Sequence, residues 1–140
     1  MPTVTIDGVK VDIKSPVFPG REATILDAAQ EAGIWIPTLC YNSSLSHLAT
    51  CRLCMVELDR GDWRQLVTAC NYPVRRDMTV YVSSEKAVRA RRGVMELLLA
   101  RAPESEELQE LARRMGFEGT PYPNVTESQR NCILCGLCVS

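Results

Sequence analysis

Cys40, Cys51, Cys54 and Cys70 follow one another with the spacing C-x10-C-x2-C-x15-C, so a fold that uses them must bring a long loop, a tight turn and a strand end together. This is a metal-site arrangement. The two-residue spacer between Cys51 and Cys54 lets one turn aim two sulfurs at the same iron, while Cys40 and Cys70 supply the rest. Sulfide-bridged iron is a soft centre that needs four sulfur ligands to complete two tetrahedra. Structural zinc sites usually bring their ligands as two short pairs, whereas this set has one pair and two single residues. A [2Fe–2S] cluster is therefore expected ahead of zinc or free thiols, and a zinc-binding structural or adaptor module is the alternative.

Seven cysteines is the outlying number in the composition. The count is odd, no signal peptide is visible at the N-terminus, and the cysteines are closely clustered, so metal ligation accounts for them better than disulfides. A reducing cytosol keeps thiols available, and the thiolate is the form that binds metal. No apolar run approaches the roughly 18–20 residues of a spanning helix. The expectation is a cytoplasmic protein with no direct membrane insertion. A formal net charge of −1 offers no field to steer the chain toward nucleic acid.

Taken in order, residues 4–13 alternate apolar and polar on either side of Asp7-Gly8, a dipeptide favoured in two-residue hairpin turns. Residues 14–20 carry two prolines and a glycine and read as a loop. A short helix follows, with Thr24 as N-cap, Asp27 as its capping-box partner and Gly33 just past its end. Pro37 ends regular structure before the cysteine loop. Residues 55–59 and 64–69 flank a turn at 60–63, so this second hairpin holds Cys54 and Cys70 near the same end. A further strand at 78–83 closes the pattern. Two hairpins, one helix between them and a closing strand make an α+β unit in which a mixed sheet wraps the helix, a β-grasp.

From Ser84 the character changes. Residues 85–102 predict a helix with Val88, Met95, Leu98, Leu99 and Ala102 on one face, and residues 105–115 predict another stopped by Gly116. Arg89, Arg91 and Arg92, with Glu104, Glu106, Glu107 and Glu110, are expected on the wet faces of these helices, and Trp35 and Trp63 are expected to pack. An irregular linker leads to Cys132, Cys135 and Cys138, an extended Cys-rich tail. Their C-x2-C-x2-C spacing is the first part of a bacterial [4Fe–4S] run whose fourth cysteine would fall two residues beyond Ser140. The chain thus reads as the front portion of a longer polypeptide that carries a [4Fe–4S] cluster. Three segments are expected: a cluster domain over 1–83, a helical bridge over 84–116, and a linker with the start of a [4Fe–4S] segment over 117–140. His47, the only histidine, is read as a solvent-facing loop residue, since Rieske-type centres use two. Arg52 either offsets cluster charge or is solvated.

The stretches Ile36-Pro37-Thr38-Leu39-Cys40-Tyr41 and Cys51-Arg52-Leu53-Cys54-Met55-Val56-Glu57, with Cys70 at the end of the next hairpin, carry a resemblance. They resemble the N-terminal [2Fe–2S] ferredoxin domain of respiratory complex I large iron–sulfur subunits. The same domain occurs in diaphorase subunits of NAD-linked hydrogenases and in formate dehydrogenases. The resemblance covers roughly residues 1–83 and implies a plant-ferredoxin-like β-grasp with Cys40, Cys51, Cys54 and Cys70 as ligands. It also implies partners such as a flavoprotein, a hydrogenase subunit or a formate dehydrogenase subunit. In many relatives a His-Cys-Cys-Cys [4Fe–4S] site directly precedes the segment resembling 107–116, but residues 101–106 offer neither Cys nor His. That cluster is expected to be absent. Ala49-Thr50 stands where relatives commonly place a glycine, which bears on how closely backbone N–H groups approach the cluster. With no G-x-G-x-x-G turn and no nucleophile–base pair, the expected role is a one-electron carrier without its own substrate site, one module of a larger oxidoreductase.

Overall fold

The computed structural model describes residues 2–13, 17–18, 21–39, 51–103, 105–116 and 119–121. Strands β1 (Thr3–Ile6) and β2 (Val9–Asp12) pair antiparallel, with Val4 opposite Val11 and Ile6 opposite Val9. Asp7 at φ 49° and Gly8 at φ 87° occupy the left-handed region, as the turn between twisted strands requires. Asp7 also makes a long-range tie, since its carboxylate accepts hydrogen bonds from the backbone N–H groups of Val82, at 2.9 Å, and Ser83, at 3.2 Å. The hairpin expected around Asp7-Gly8 is therefore present, and its turn is fastened to the far end of the domain.

Residues 17–18 depart from the expected loop. β3 (Val17–Phe18) pairs with β4 (Arg21–Glu22) in a small separate sheet, with Val17 opposite Glu22 and Phe18 opposite Arg21. Helix α1 (Ile25–Glu31) then begins at Thr24, whose side chain accepts from the Asp27 N–H while the Asp27 carboxylate accepts from the Thr24 N–H at 2.8 Å. This reciprocal cap is the one the sequence predicts. Gly33, at φ 72°, turns the chain away after the helix.

β5 (Met55–Asp59), β6 (Arg64–Thr68) and β7 (Met78–Tyr81) complete the main sheet, whose order is β2-β1-β7-β5-β6. β1 and β7 run parallel and the other neighbours antiparallel. The first and last strands thus lie side by side at the centre, which the hairpin-helix-hairpin order achieves by passing the chain over one face. The core between sheet and helix contains Val4, Ile6, Ile25, Leu26, Val56 and Val80, all essentially inaccessible. The mixed sheet wrapped on one helix is the expected α+β grasp. Trp63, expected to pack, instead lies at the tip of the β5–β6 turn and is 58% exposed.

Helices α2 (Glu85–Arg101) and α3 (Glu106–Met115) start at the side-chain caps Ser84 and Ser105, and α3 ends at Gly116 in the left-handed conformation. Met95, Leu99, Ala102, Leu108 and Ala112 bury against one another in a second core. Of the five residues expected on the inner face of α2, Met95, Leu98, Leu99 and Ala102 line this core and Val88 does not. Val88 is 47% exposed, and Ala87 and Arg91 occupy the buried positions at that end of the helix. Arg89 and Arg92 do lie on the wet face, where they pair with Glu85 and Glu96 one turn away. No helix of the described residues is long and apolar enough to cross a membrane.

Candidate metal centre

The β5–β6 hairpin sets the geometry of the cysteines. Its register places Met55 opposite Thr68, so Cys54 and Ala69 are the next facing pair, and the Ala69 N–H donates to the Cys54 carbonyl at 3.1 Å. One residue further, the Cys70 N–H donates to the Cys54 sulfur at 3.4 Å. Both side chains are 1% exposed. Hydrogen bonding from the Cys70 side chain, against the opposing effect of burial and with help from nearby backbone N–H groups, lowers the Cys54 pKa to about 7. A thiol so placed is close to its metal-binding form at neutral pH. The start of α1 braces the same corner, since the Leu26 N–H donates to the Ala69 carbonyl at 2.9 Å.

Cys51 precedes this corner by one tight turn. Arg52 takes a left-handed backbone at φ 59°, a conformation that costs a residue with a Cβ about 1–2 kcal/mol. The turn directs the Leu53 N–H to the Cys51 sulfur at 3.4 Å. Leu53 itself is fully buried, yet not in the sheet core: it packs among Met95, Leu99, Leu108 and Ala112. The Cys51–Cys54 turn is thereby held between two cores, Cys54 in one and Leu53 in the other. Leu39, directly before Cys40, packs against the same helical core, and the Arg114 guanidinium lies 4.1 Å from the ring centroid of Trp35. The chain entering the cysteine loop is thus fastened to α2 and α3.

Arg91 is the residue that the sequence misplaces. Expected in water, it is 8% exposed, and its guanidinium donates to the Met55 carbonyl and to the Val82 carbonyl, each at 2.8 Å. Periodicity alone assigns an arginine on a helix to solvent. The signal that was available is that Arg91 falls one turn after Ala87 and one before Met95, both small or apolar.

Among the described residues, Cys51, Cys54 and Cys70 form no disulfide. The structure pairs Cys54 with Cys70, while Cys51 stands at the other side of the turn. Among the described residues, no three Cys, His, Asp or Glu side chains gather around a point that would hold one ion. The donor set is all sulfur, partly or fully shielded from water, with backbone N–H groups directed at sulfur, and it fits an iron–sulfur cluster. Cys40, His47, Ala49, Thr50, Cys132, Cys135, Cys138 and Glu104 lie outside the described residues.

Comparison with known proteins adds to this geometry. Residues 1–85 match the family described as the 2Fe-2S iron-sulfur cluster binding domain. The chain is similar to the mitochondrial NADH-ubiquinone oxidoreductase 78 kDa subunit of Candida albicans, 32% identical over 97% of this chain and 21% of the relative. The NADPH-Fe(3+) oxidoreductase subunit alpha of Geobacter sulfurreducens is 34% identical over 99% of this chain and 18% of the relative. The NADP-reducing hydrogenase subunit HndD of Solidesulfovibrio fructosivorans is 35% identical over 99% of this chain and 27% of the relative. This chain therefore spans about a fifth to a quarter of those proteins. Among solved structures, one chain of an NAD+-reducing [NiFe]-hydrogenase in the H2-reduced state superposes with a TM-score of 0.78 at 30% identity. That likeness covers 99% of this chain and 64% of the other.

Proposed function

The chain belongs to the family of 2Fe-2S iron–sulfur cluster binding domains, and from that premise we propose that Cys40, Cys51, Cys54 and Cys70 hold a [2Fe–2S] cluster for one-electron transfer. The observation that carries the assignment is the Cys70 N–H directed at the Cys54 sulfur with both side chains buried. Bound there, the cluster supplies a one-electron couple whose potential is set by charge, burial and hydrogen bonds to sulfur. The protein's own residues do the rest. Cys54 and Cys70 exclude water from one side, the N–H groups of Leu53 and Cys70 offset negative charge on sulfur, and Leu53 fixes the turn against the helices.

The chain acts as an electron-transfer module of a larger oxidoreductase complex and has no substrate site of its own. Its relatives, by name subunits of NADH, NADPH-iron and hydrogenase enzymes, support a redox complex in general. A flavoprotein, hydrogenase or formate dehydrogenase subunit is the proposed partner, in the cytoplasm. The functional division is 1–83 for the [2Fe–2S] unit, 84–116 for the helical bridge and 117–140 for a segment in which Cys132, Cys135 and Cys138 begin a [4Fe–4S] site.

Anaerobic purification followed by iron and acid-labile sulfide analysis and EPR tests this reading. The expected result is a coloured protein with about two irons and two sulfides in the ferredoxin unit and a reduced [2Fe–2S] signal. A colourless protein that keeps zinc after anaerobic reconstitution would overturn it.

A further inference from the structure

We propose that Arg91 is a positioning residue for electron transfer: a fixed, desolvated positive charge that raises the reduction potential of the cluster held beside it. The inference rests on the [2Fe–2S] reading above. Arginine is seldom buried without a paired anion, because removing its charge from water is costly. Here both close hydrogen bonds of the guanidinium go to backbone carbonyls, those of Met55 and Val82. Carbonyls orient a guanidinium without neutralising it, so its charge is offset only by carboxylates further off, such as that of Asp7. Met55 is the residue after Cys54, which places this charge on the α2 side of the cysteine corner.

The surrounding charges agree with that placement. Burial lowers the Arg91 pKa, and the negative charges of Asp7 and Cys54 oppose the shift. Arg91 and the Cys54 sulfur therefore sense one another's charge. Asp7 is held by the N–H groups of Val82 and Ser83, on the same strand end whose carbonyl Arg91 grips. Reduction adds one electron to a cage of four thiolates, and a cation in a poorly screened interior favours that added negative charge. Arginine suits this role, since it stays protonated and its planar fork reaches two carbonyls at once.

EPR-monitored redox titration of the full chain, for the parent protein, Arg91→Met and Arg91→Lys, decides the matter. Arg91→Met is expected to lower the midpoint by the equivalent of at least about tenfold in the electron-binding constant, 59 mV for one electron. Arg91→Lys keeps the charge and is expected to retain most of the parent midpoint. Where Arg91→Met fails to hold its cluster, Arg91→Gln, which keeps an amide donor for one carbonyl, carries the same comparison. An unchanged midpoint in the neutral variants overturns the proposal, as does an equal fall in Arg91→Lys. Loss of the cluster from both neutral variants overturns it in favour of a purely structural role. A parent protein without a [2Fe–2S] signal overturns this inference and the function reading together, whereas the preceding outcomes leave that reading standing.

Discussion

The backbone N–H of Cys70 donates to the sulfur of Cys54 across 3.4 Å, joining the two ends of a hairpin at one buried corner. A strand ladder fixes the positions of this pair. Preorganisation of this kind reduces what binding must spend on ordering the ligands.

Replacing either cysteine by serine keeps the size of the side chain but removes a soft ligand. Cys54→Ser and Cys70→Ser should each lower the iron and sulfide retained after anaerobic reconstitution by more than about tenfold, the lower end of what losing even an outer partner costs a metal site. Far-UV circular dichroism should stay close to that of the parent apoprotein.

The lowered thiol pKa makes the stability of the apoprotein depend on pH. The folded value of about 7 lies below the ordinary thiol value of 9.0. The Cys54 contribution is therefore fully present above pH 9 and is lost as pH falls through 7. Urea midpoints of the metal-free protein should rise from pH 7 to pH 9, and Cys54→Ser should flatten that rise. A rise of the same size in the serine variant would exclude Cys54 as its source.

Leu53→Ala empties a fully buried site in the helical core. The cost should be about 2–5 kcal/mol in urea unfolding, with faster loss of visible absorbance because the turn between Cys51 and Cys54 loses its anchor. Unchanged cluster retention at that loss of stability would separate the anchor from the cluster.

Asp27→Ala removes a buried carboxylate that accepts from the Thr24 N–H at 2.8 Å and from the Thr24 hydroxyl at 3.1 Å. Loss of the cap should cost about 1–2 kcal/mol, and Asp27→Asn, which keeps an acceptor, should cost less. Chemical denaturation of the three proteins measures the difference.

What could be read from the sequence was what local chemistry decides. The Asp7-Gly8 turn, the Thr24–Asp27 cap, the β5–β6 hairpin and the Gly116 stop each depend on a few adjacent residues, and each stands where expected. The pairing of Cys54 with Cys70 followed from the hairpin. What could not be read was long-range. Arg91 is buried because the carbonyls of Met55 in β5 and of Val82 just past β7 converge on it, and Val88 is exposed because Arg91 and Ala87 take the inner face. Leu53 belongs to the helical core rather than the sheet, a choice made by packing partners that lie more than one element downstream. Nothing in the local pattern of Val17, Phe18, Arg21 and Glu22 outweighed the nearby prolines, so that small ladder was hidden too.

The seating of Leu53 matters to anyone who would transplant this unit. A minimal ferredoxin cut after the last strand would carry all four proposed ligands, yet it would leave behind the helices that cover the leucine between two of them. The bared side chain, and Cys51 that packs beside it, would then meet water. The portable part therefore ends at Gly116, and a designer borrowing it for a new redox protein should count the two helices as wall rather than as handle.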